Sequence, residues 1–273
     1  LSPRRRRRPR RPCPPWGIVP KNILQCKFGA VRGMGGAGQP PNRSERLYDV
    51  AEPRLAAFRE DAARWIKANL PKALIGKNSQ AYFTDGACAD ADMDYRTWLA
   101  RVVERGWGAP AWPVAYGGAG LGPEEAAIVN EEMARAGGFH PNRTYGQWML
   151  GPTLLEFADE AQKRRFLPPI ARGEVRWCQG FSEPGAGSDL ASLQTRCVDA
   201  GDHFVVNGQK IWTSGANHAD WCFALVRTDT SVKQRGISFL LIDMKSPGVE
   251  ARPITLIAGS THFCEVFFTD VRV

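Results

Sequence analysis

Apolar residues fall at helical spacing through the first half of the folded sequence. Leu55, Phe58, Ala62, Trp65, Ile66 and Leu70 recur every three or four positions, one stripe of an amphipathic helix that Pro71 ends. Tyr95, Trp98, Leu99 and Val102 repeat the pattern over 92–105, and Gly106 stops it. A loop rich in Gly, Pro and Trp spans 106–122, and long connections of this kind often line ligand clefts. Pro123-Glu124-Glu125 opens the next helix, with proline early and acids where the helix dipole favours them. Asn142–Phe157 and Asp159–Arg172 complete five helices, the last expected to kink or end at Pro168-Pro169. After Gly173 the period changes. Asn207-Gly208 between Phe204-Val205-Val206 and Lys210-Ile211-Trp212 predicts a two-residue hairpin. Trp221–Val226 and Ile237–Met244 read as buried strands, and Cys264–Val273 as a partly alternating one. The prediction is an α+β fold: an N-terminal α-helical bundle over 47–174, then a β-barrel or sandwich over 175–273.

Charge separates a third segment. Residues 1–46 hold twelve Lys/Arg and one acid, a net +11; the other 227 residues hold 24 basic and 27 acidic groups, a net −3. The high isoelectric point therefore belongs to the tail, which argues against a nucleic-acid-binding body. Leu1–Ser44 carries eight prolines, so neither helix nor sheet is expected, and 1–46 reads as a disordered basic tail. Prolines 12, 14, 15 and 20 interrupt any secretory core, and the segment has no amphipathic period for a transit peptide. Gly33-Met-Gly-Gly-Ala-Gly38 matches G-x-G-x-x-G, but Gln39-Pro40-Pro41 cannot open the helix that a dinucleotide site needs, so the match is rejected. Since the sequence begins with Leu, Met34 or a nearby codon is the expected start. No apolar run reaches the ~20 residues of a membrane span. The seven cysteines and four histidines lie at neither metal-ligand nor disulfide spacing, so no metal site is expected and a cytoplasmic setting fits.

One loop concentrates candidate chemistry. Trp177-Cys-Gln-Gly-Phe-Ser-Glu-Pro-Gly-Ala-Gly-Ser-Asp189 runs from an apolar strand into three glycines with no bulky side chain after Phe181. Such a loop lets backbone amides approach a ligand, and Ser182 and Ser188 add hydroxyls; a planar ring with acceptors along one edge would suit it.

That run resembles the flavin loop of the acyl-CoA dehydrogenase family, G-x-S/T-E-P-x-A-G-S-D, through Gly180 to Ser182, Glu183, Pro184, Ala186, Gly187, Ser188 and Asp189. Asn207-Gly-Gln-Lys-Ile-Trp-Thr-Ser-Gly-Ala216 is similar to the family's next block, and Val266–Val273 to the last strand of its middle domain. The resemblance covers about 47–273 and implies FAD as cofactor. It implies that Gln179, Phe181 and Ser182 line the flavin, with the Ser182 hydroxyl near N5, and that Ser188 faces flavin and the substrate thioester. Trp212, Thr213 and Ser214 would contact the flavin from the second block, while Glu183 belongs to the loop as a structural group. The implied reaction is α,β-dehydrogenation of an acyl-CoA to the 2,3-enoyl-CoA, with electron-transfer flavoprotein or a similar acceptor as partner and a homo- or hetero-oligomeric assembly. In the family the catalytic glutamate comes from a C-terminal helical domain, so no catalytic base is expected in this chain, which reads as a truncated fragment that alone binds FAD weakly and turns over slowly or not at all. The alternatives are a non-catalytic subunit of a mixed oligomer and an acyl-CoA oxidase or flavin monooxygenase on the same scaffold.

Overall fold

The computed structural model describes residues 23–24, 44–77, 82 and 92–273. The rejected glycine motif, the proposed start at Met34 and most of the basic tail lie outside them. Within the tail, Ile23–Leu24 (β1) pairs with Leu240 and Phe239, although no sheet was expected there. These two apolar residues have no neighbouring proline and can extend along a strand edge.

The α-helices among the described residues are α1 (Ser44–Asn69), α2 (Met93–Glu104), α3 (Pro123–Arg135), α4 (Gly151–Phe157) and α5 (Glu160–Ala171). Ile66, Trp98, Val102, Val129 and Met133 make the first core, sealed by Trp107. Burying aromatic residues with polar tips requires partners for the tips. The Trp98 indole donates to Phe139 O at 2.9 Å and the Tyr95 hydroxyl to Pro141 O at 2.8 Å. Arg59 spans from α1 to α3, 2.7 Å from Glu131 and 2.6 Å from Glu132. The expected helix from Asn142 begins later, because Asn142 turns inward and its amide donates to Gly108 O, Ile170 O and Ala171 O. Pro168 and Pro169 do not end α5, which runs on to Ala171. They fall in its last turns, and the carbonyls of Ile170 and Ala171 beyond them are held by Asn142.

A π-helical turn, Gly146–Leu150, precedes α4. Its glycines explain it. A Cβ on Gly151 would lie 1.8 Å from the Trp112 ring, and one on Gly146 would lie 2.8 Å from Trp177. Five residues span little more than one turn of a π-helix, so the wider turn brings both glycines toward one side, where two indoles pack.

The remaining strands are β2 (Trp177–Gly180), β3 (Arg196–Asp199), β4 (Phe204–Ser214), β5 (Trp221–Arg227), β6 (Ile237–Asp243), β7 (Val249–Ile254) and β8 (Phe263–Arg272). They form one mixed sheet in the order β1-β6-β5-β3-β4-β8-β7, with β2 parallel to β5, curled as a half-barrel open at β1 and β7. The continuous apolar runs are strands buried on both faces. Cys222, Ala224, Val226, Leu240 and Ile242 fill the curl. Phe223, Phe239 and Leu241 point the other way, against Leu154, Phe166 and Leu167 of the helices.

The hairpin expected at Asn207-Gly208 is absent. β4 runs straight through it, with a register shift against β8 between Val206 and Gly208. Gly208 serves a close approach: its φ is 156°, and a Cβ there would lie 2.6 Å from Thr195 Cα. Asn207 spans the bulge, donating to Asp270 Oδ1 and accepting from Asp270 N, both at 2.9 Å. A dipeptide that favours turns also favours bulges, since each needs unusual backbone angles.

Candidate functional site

β2 ends at Gly180, where nothing larger fits: a Cβ there would lie 2.8 Å from Cys222 Sγ. The chain then folds on itself, with Glu183 and Ala186 exchanging backbone hydrogen bonds of 2.9 and 3.0 Å around Pro184-Gly185. Beneath this turn lies a buried ion pair. Glu183 accepts from Lys210 Nζ at 2.7 Å, Thr195 N at 2.9 Å and Gln194 N at 2.6 Å, while Lys210, fully buried, also donates to Phe181 O at 3.2 Å. Burial alone would raise the Glu183 carboxyl, but Lys210 and the Thr195 and Gln194 bonds outweigh it and hold it below its usual range. Burial dominates at Lys210 and lowers its ammonium. Both Glu183 oxygens are thus engaged, as a structural group requires.

The second block meets the first at a bulge. Lys210 pairs with Val266 and Thr213 with Cys264, so two residues of β4 stand opposite one of β8. Ile211 N leaves the ladder and donates to Ser182 O at 2.9 Å. Trp212 takes φ 60°, a left-handed value costly for a bulky residue, and stands 55% exposed with its ring edge-on to Phe263 at 6.0 Å.

The predicted residues separate accordingly. The backbone of Ser182 is tied to the bulge that carries Trp212, through Ile211 N, and Ser188 lies on the exposed arm of the loop. Among the described residues, the amides of Gly185, Gly187 and Ser188 and the hydroxyls of Ser182, Ser188 and Ser214 donate to nothing. Gln179 is half-buried in β2, and Phe181 packs edge-on against Phe223 and Phe239, toward the helices. Thr213 is only 1% exposed, its hydroxyl without a partner among the described residues, so its side chain does not share the surface of Trp212. Ser214 opens instead onto a cleft of about 410 Å³ between the half-barrel and the helices, walled also by Tyr95, Asn142, Tyr145 and Trp177. Sequence reasoning gave no role to Lys210, although a lysine inside an apolar strand was a signal; Asn142 and Trp177 carried none that pointed to a cleft.

Models of the acyl-CoA dehydrogenase N-terminal domain and middle domain match residues 55–174 and 178–271. The chain belongs to the acyl-CoA dehydrogenase family. Acyl-CoA dehydrogenase IpdE1 of Mycobacterium tuberculosis (strain ATCC 25618 / H37Rv) is 42% identical over 230 residues, 83% of this chain and 57% of its own length. Acyl-CoA dehydrogenase FadE34 of the same organism is 45% identical over 256 residues, 89% of this chain and 36% of its own. The chain thus spans 57% and 36% of the length of these two curated relatives. Among solved structures, the ChsE4–ChsE5 complex from Mycobacterium tuberculosis is 34% identical with a TM-score of 0.63, covering 81% of this chain and 54% of that one. The Tcur3481–Tcur3483 steroid ACAD is 31% identical with a TM-score of 0.63, covering 81% and 55%.

Proposed function

We propose that this chain holds FAD between the Ser182–Ser188 loop and the β4 bulge, and serves the α,β-dehydrogenation of an acyl-CoA thioester to its 2,3-enoyl-CoA. The observation that carries the proposal is the hydrogen bond from Ile211 N to Ser182 O, which ties the loop that holds the unspent donors to the bulge that holds an exposed, strained indole. Those features fit an isoalloxazine: Gly187, Ser188 and Ser182 offer donors to a polar edge, and Trp212 offers a flat apolar face. FAD, when bound, supplies the acceptor for the hydride leaving the β-carbon. The chain's part is to hold that ring in a fixed donor frame, with Lys210–Glu183 locking the frame from below. Glu183 does not take the α-proton, because its oxygens are spent. Glu183 is therefore given no part in proton transfer; acyl-CoA-dependent dye reduction by the FAD-loaded chain that is lost on Glu183→Gln, with the fold intact, would count against this. FAD titration followed by flavin fluorescence tests the site itself: Trp212→Ala is expected to weaken binding about tenfold, roughly 1.4 kcal/mol, and an unchanged affinity would remove Trp212 from it.

A second reading, a subunit of a mixed oligomer, is favoured by the 34% likeness to a chain solved as the ChsE4–ChsE5 complex. Co-expression with a second dehydrogenase chain, followed by co-purification, tests it. Electrons would pass to an electron-transfer flavoprotein or a similar acceptor. Oxygen consumption by the FAD-loaded protein would point instead to an oxidase. Four buried free thiols, Cys178, Cys197, Cys222 and Cys264, suit a reducing, cytoplasmic setting, and no helix among the described residues is long and apolar enough to cross a membrane.

A further inference from the structure

A second buried charge holds the far end of the Ser182–Ser188 loop. Arg227, the last residue of β5, is 8% exposed. A guanidinium carries five N–H donors in a rigid fork, and here all five are engaged. Nε donates to Leu193 O at 3.3 Å, one terminal nitrogen to Val232 O at 3.2 Å and to Lys233 O, and the other to Ala191 O and to Leu193 O at 3.2 Å. Carbonyls from two separate connections, the turn after the loop and the link between β5 and β6, thus converge on one side chain.

The first of these connections also serves Glu183. Gln194 N and Thr195 N donate to its carboxylate, so residues 191–195 run between a buried anion on their amide side and a buried cation on their carbonyl side. Arg227 N adds a backbone bond to Thr195 O at 2.7 Å. The same segment carries the exposed arm of the loop. The half-buried Ser192 shares its hydroxyl proton between Asp189 O at 2.7 Å and Gly185 O at 3.2 Å, and the unengaged amides of Gly187 and Ser188 lie between those two residues. Lys233 Nζ meets Asp189 at 2.8 Å on the outside, but an exposed pair of this kind adds little.

We infer that Arg227 is the positioning residue of this loop: it fixes residues 191–195 from their carbonyl side, so that Gly185–Asp189 holds its amides and the Ser188 hydroxyl in one arrangement before FAD arrives. The inference rests on the flavin reading above and extends it to a side chain with no donor left for the cofactor. A loop ordered in advance loses less freedom on binding, which raises affinity without a new contact. Lysine cannot take over the role, because its three donors sit on one atom and cannot span two connections.

The test joins FAD titration, followed by flavin fluorescence, to amide exchange of the FAD-free chain. Arg227→Lys keeps the charge and leaves part of the carbonyl set unpaired. It should weaken FAD binding about fivefold, the scale of ordering one mobile group on association. It should also speed exchange at the amides of Ser192, Leu193, Gln194 and Thr195 while those of β4 and β8 keep their rates; a general loss of stability would speed them all. Ser188→Ala should weaken FAD binding in the unaltered chain and add little in Arg227→Lys, whereas Trp212→Ala, on the bulge, should weaken it by the same factor in both. Unchanged FAD affinity in Arg227→Lys, unchanged or uniformly faster exchange, or full additivity with Ser188→Ala would overturn the inference. If the unaltered chain takes up no FAD, the flavin site falls, and the exchange pattern alone decides whether Arg227 holds the segment. Should Arg227→Lys not fold, Ser192→Ala severs only the link from segment to arm. It should weaken FAD binding and shrink the effect of Ser188→Ala, and an affinity equal to that of the unaltered chain would overturn the inference.

Discussion

Lys210 and Glu183 show how one buried pair shapes the site without taking part in its chemistry. Removing one partner strands a charge in the core, which costs about 3–5 kcal/mol, whereas replacing both by neutral groups of similar size is close to neutral. Lys210→Met alone should therefore unfold far below wild type in urea, and the double variant Glu183→Gln/Lys210→Met should recover most of the loss. The pair also sets an acid limit. The Glu183 carboxyl lies below its usual range in the fold, so its contribution is complete above the unfolded value of about 4.3 and is lost as pH falls through the lower folded value. Stability measured from pH 6 to pH 3 should fall less steeply in the double variant. Parallel slopes would mean that Glu183 is not held as described. The sequence offered only half of this interaction, a lysine inside a strand, because the partners stand 27 residues apart and a glutamate next to Pro-Gly looks like an ordinary turn residue.

At the scale of elements, the helices were legible because their stripes contain large apolar residues at fixed spacing, and α3 and α5 open where acids gather. Two elements were misread for different reasons. Asn207-Gly208, a dipeptide with unusual backbone freedom, was assigned its commonest use, a turn, and serves a bulge; the segment read as a helix from Asn142 opens late, on a π-helical turn flanked by glycines that make room for two indoles. Gly151 allows a contest of signs. In an open helix Gly→Ala stabilises by about 1 kcal/mol, but here the new methyl would lie 1.8 Å from Trp112. Overpacking of that kind costs about 1–3 kcal/mol, occasionally more, so Gly151→Ala should lower the melting temperature, and pairing it with Trp112→Phe should recover part of the loss. A melting temperature raised by Gly151→Ala would show that α4 does not pack as described. The candidate site was half legible by the same logic. Its two blocks are contiguous runs of sequence, whereas the cleft joins Tyr95, Asn142, Trp177 and Ser214, which only the packing of helices on the half-barrel brings together.

For the whole molecule, the question is whether helices and half-barrel are separate bodies. Their boundary near Gly173 is a clean change of sequence period, which invites that reading. The packing opposes it. Phe223, Phe239 and Leu241 of the sheet share one core with Leu154, Phe166 and Leu167 of the helices, and Trp177 lies within it. Leu241 is fully buried there, so Leu241→Ala should cost about 2–5 kcal/mol. Because that core belongs to both halves, the loss should appear in both at once. Helical ellipticity at 222 nm, which reports mainly α1–α5, and near-ultraviolet dichroism of the sheet aromatics should then follow one urea transition in the wild type and one, displaced to lower urea, in the variant. Two transitions in the wild type, or a shift confined to one probe, would show that the halves unfold independently. In that case the cleft between them could open without unfolding.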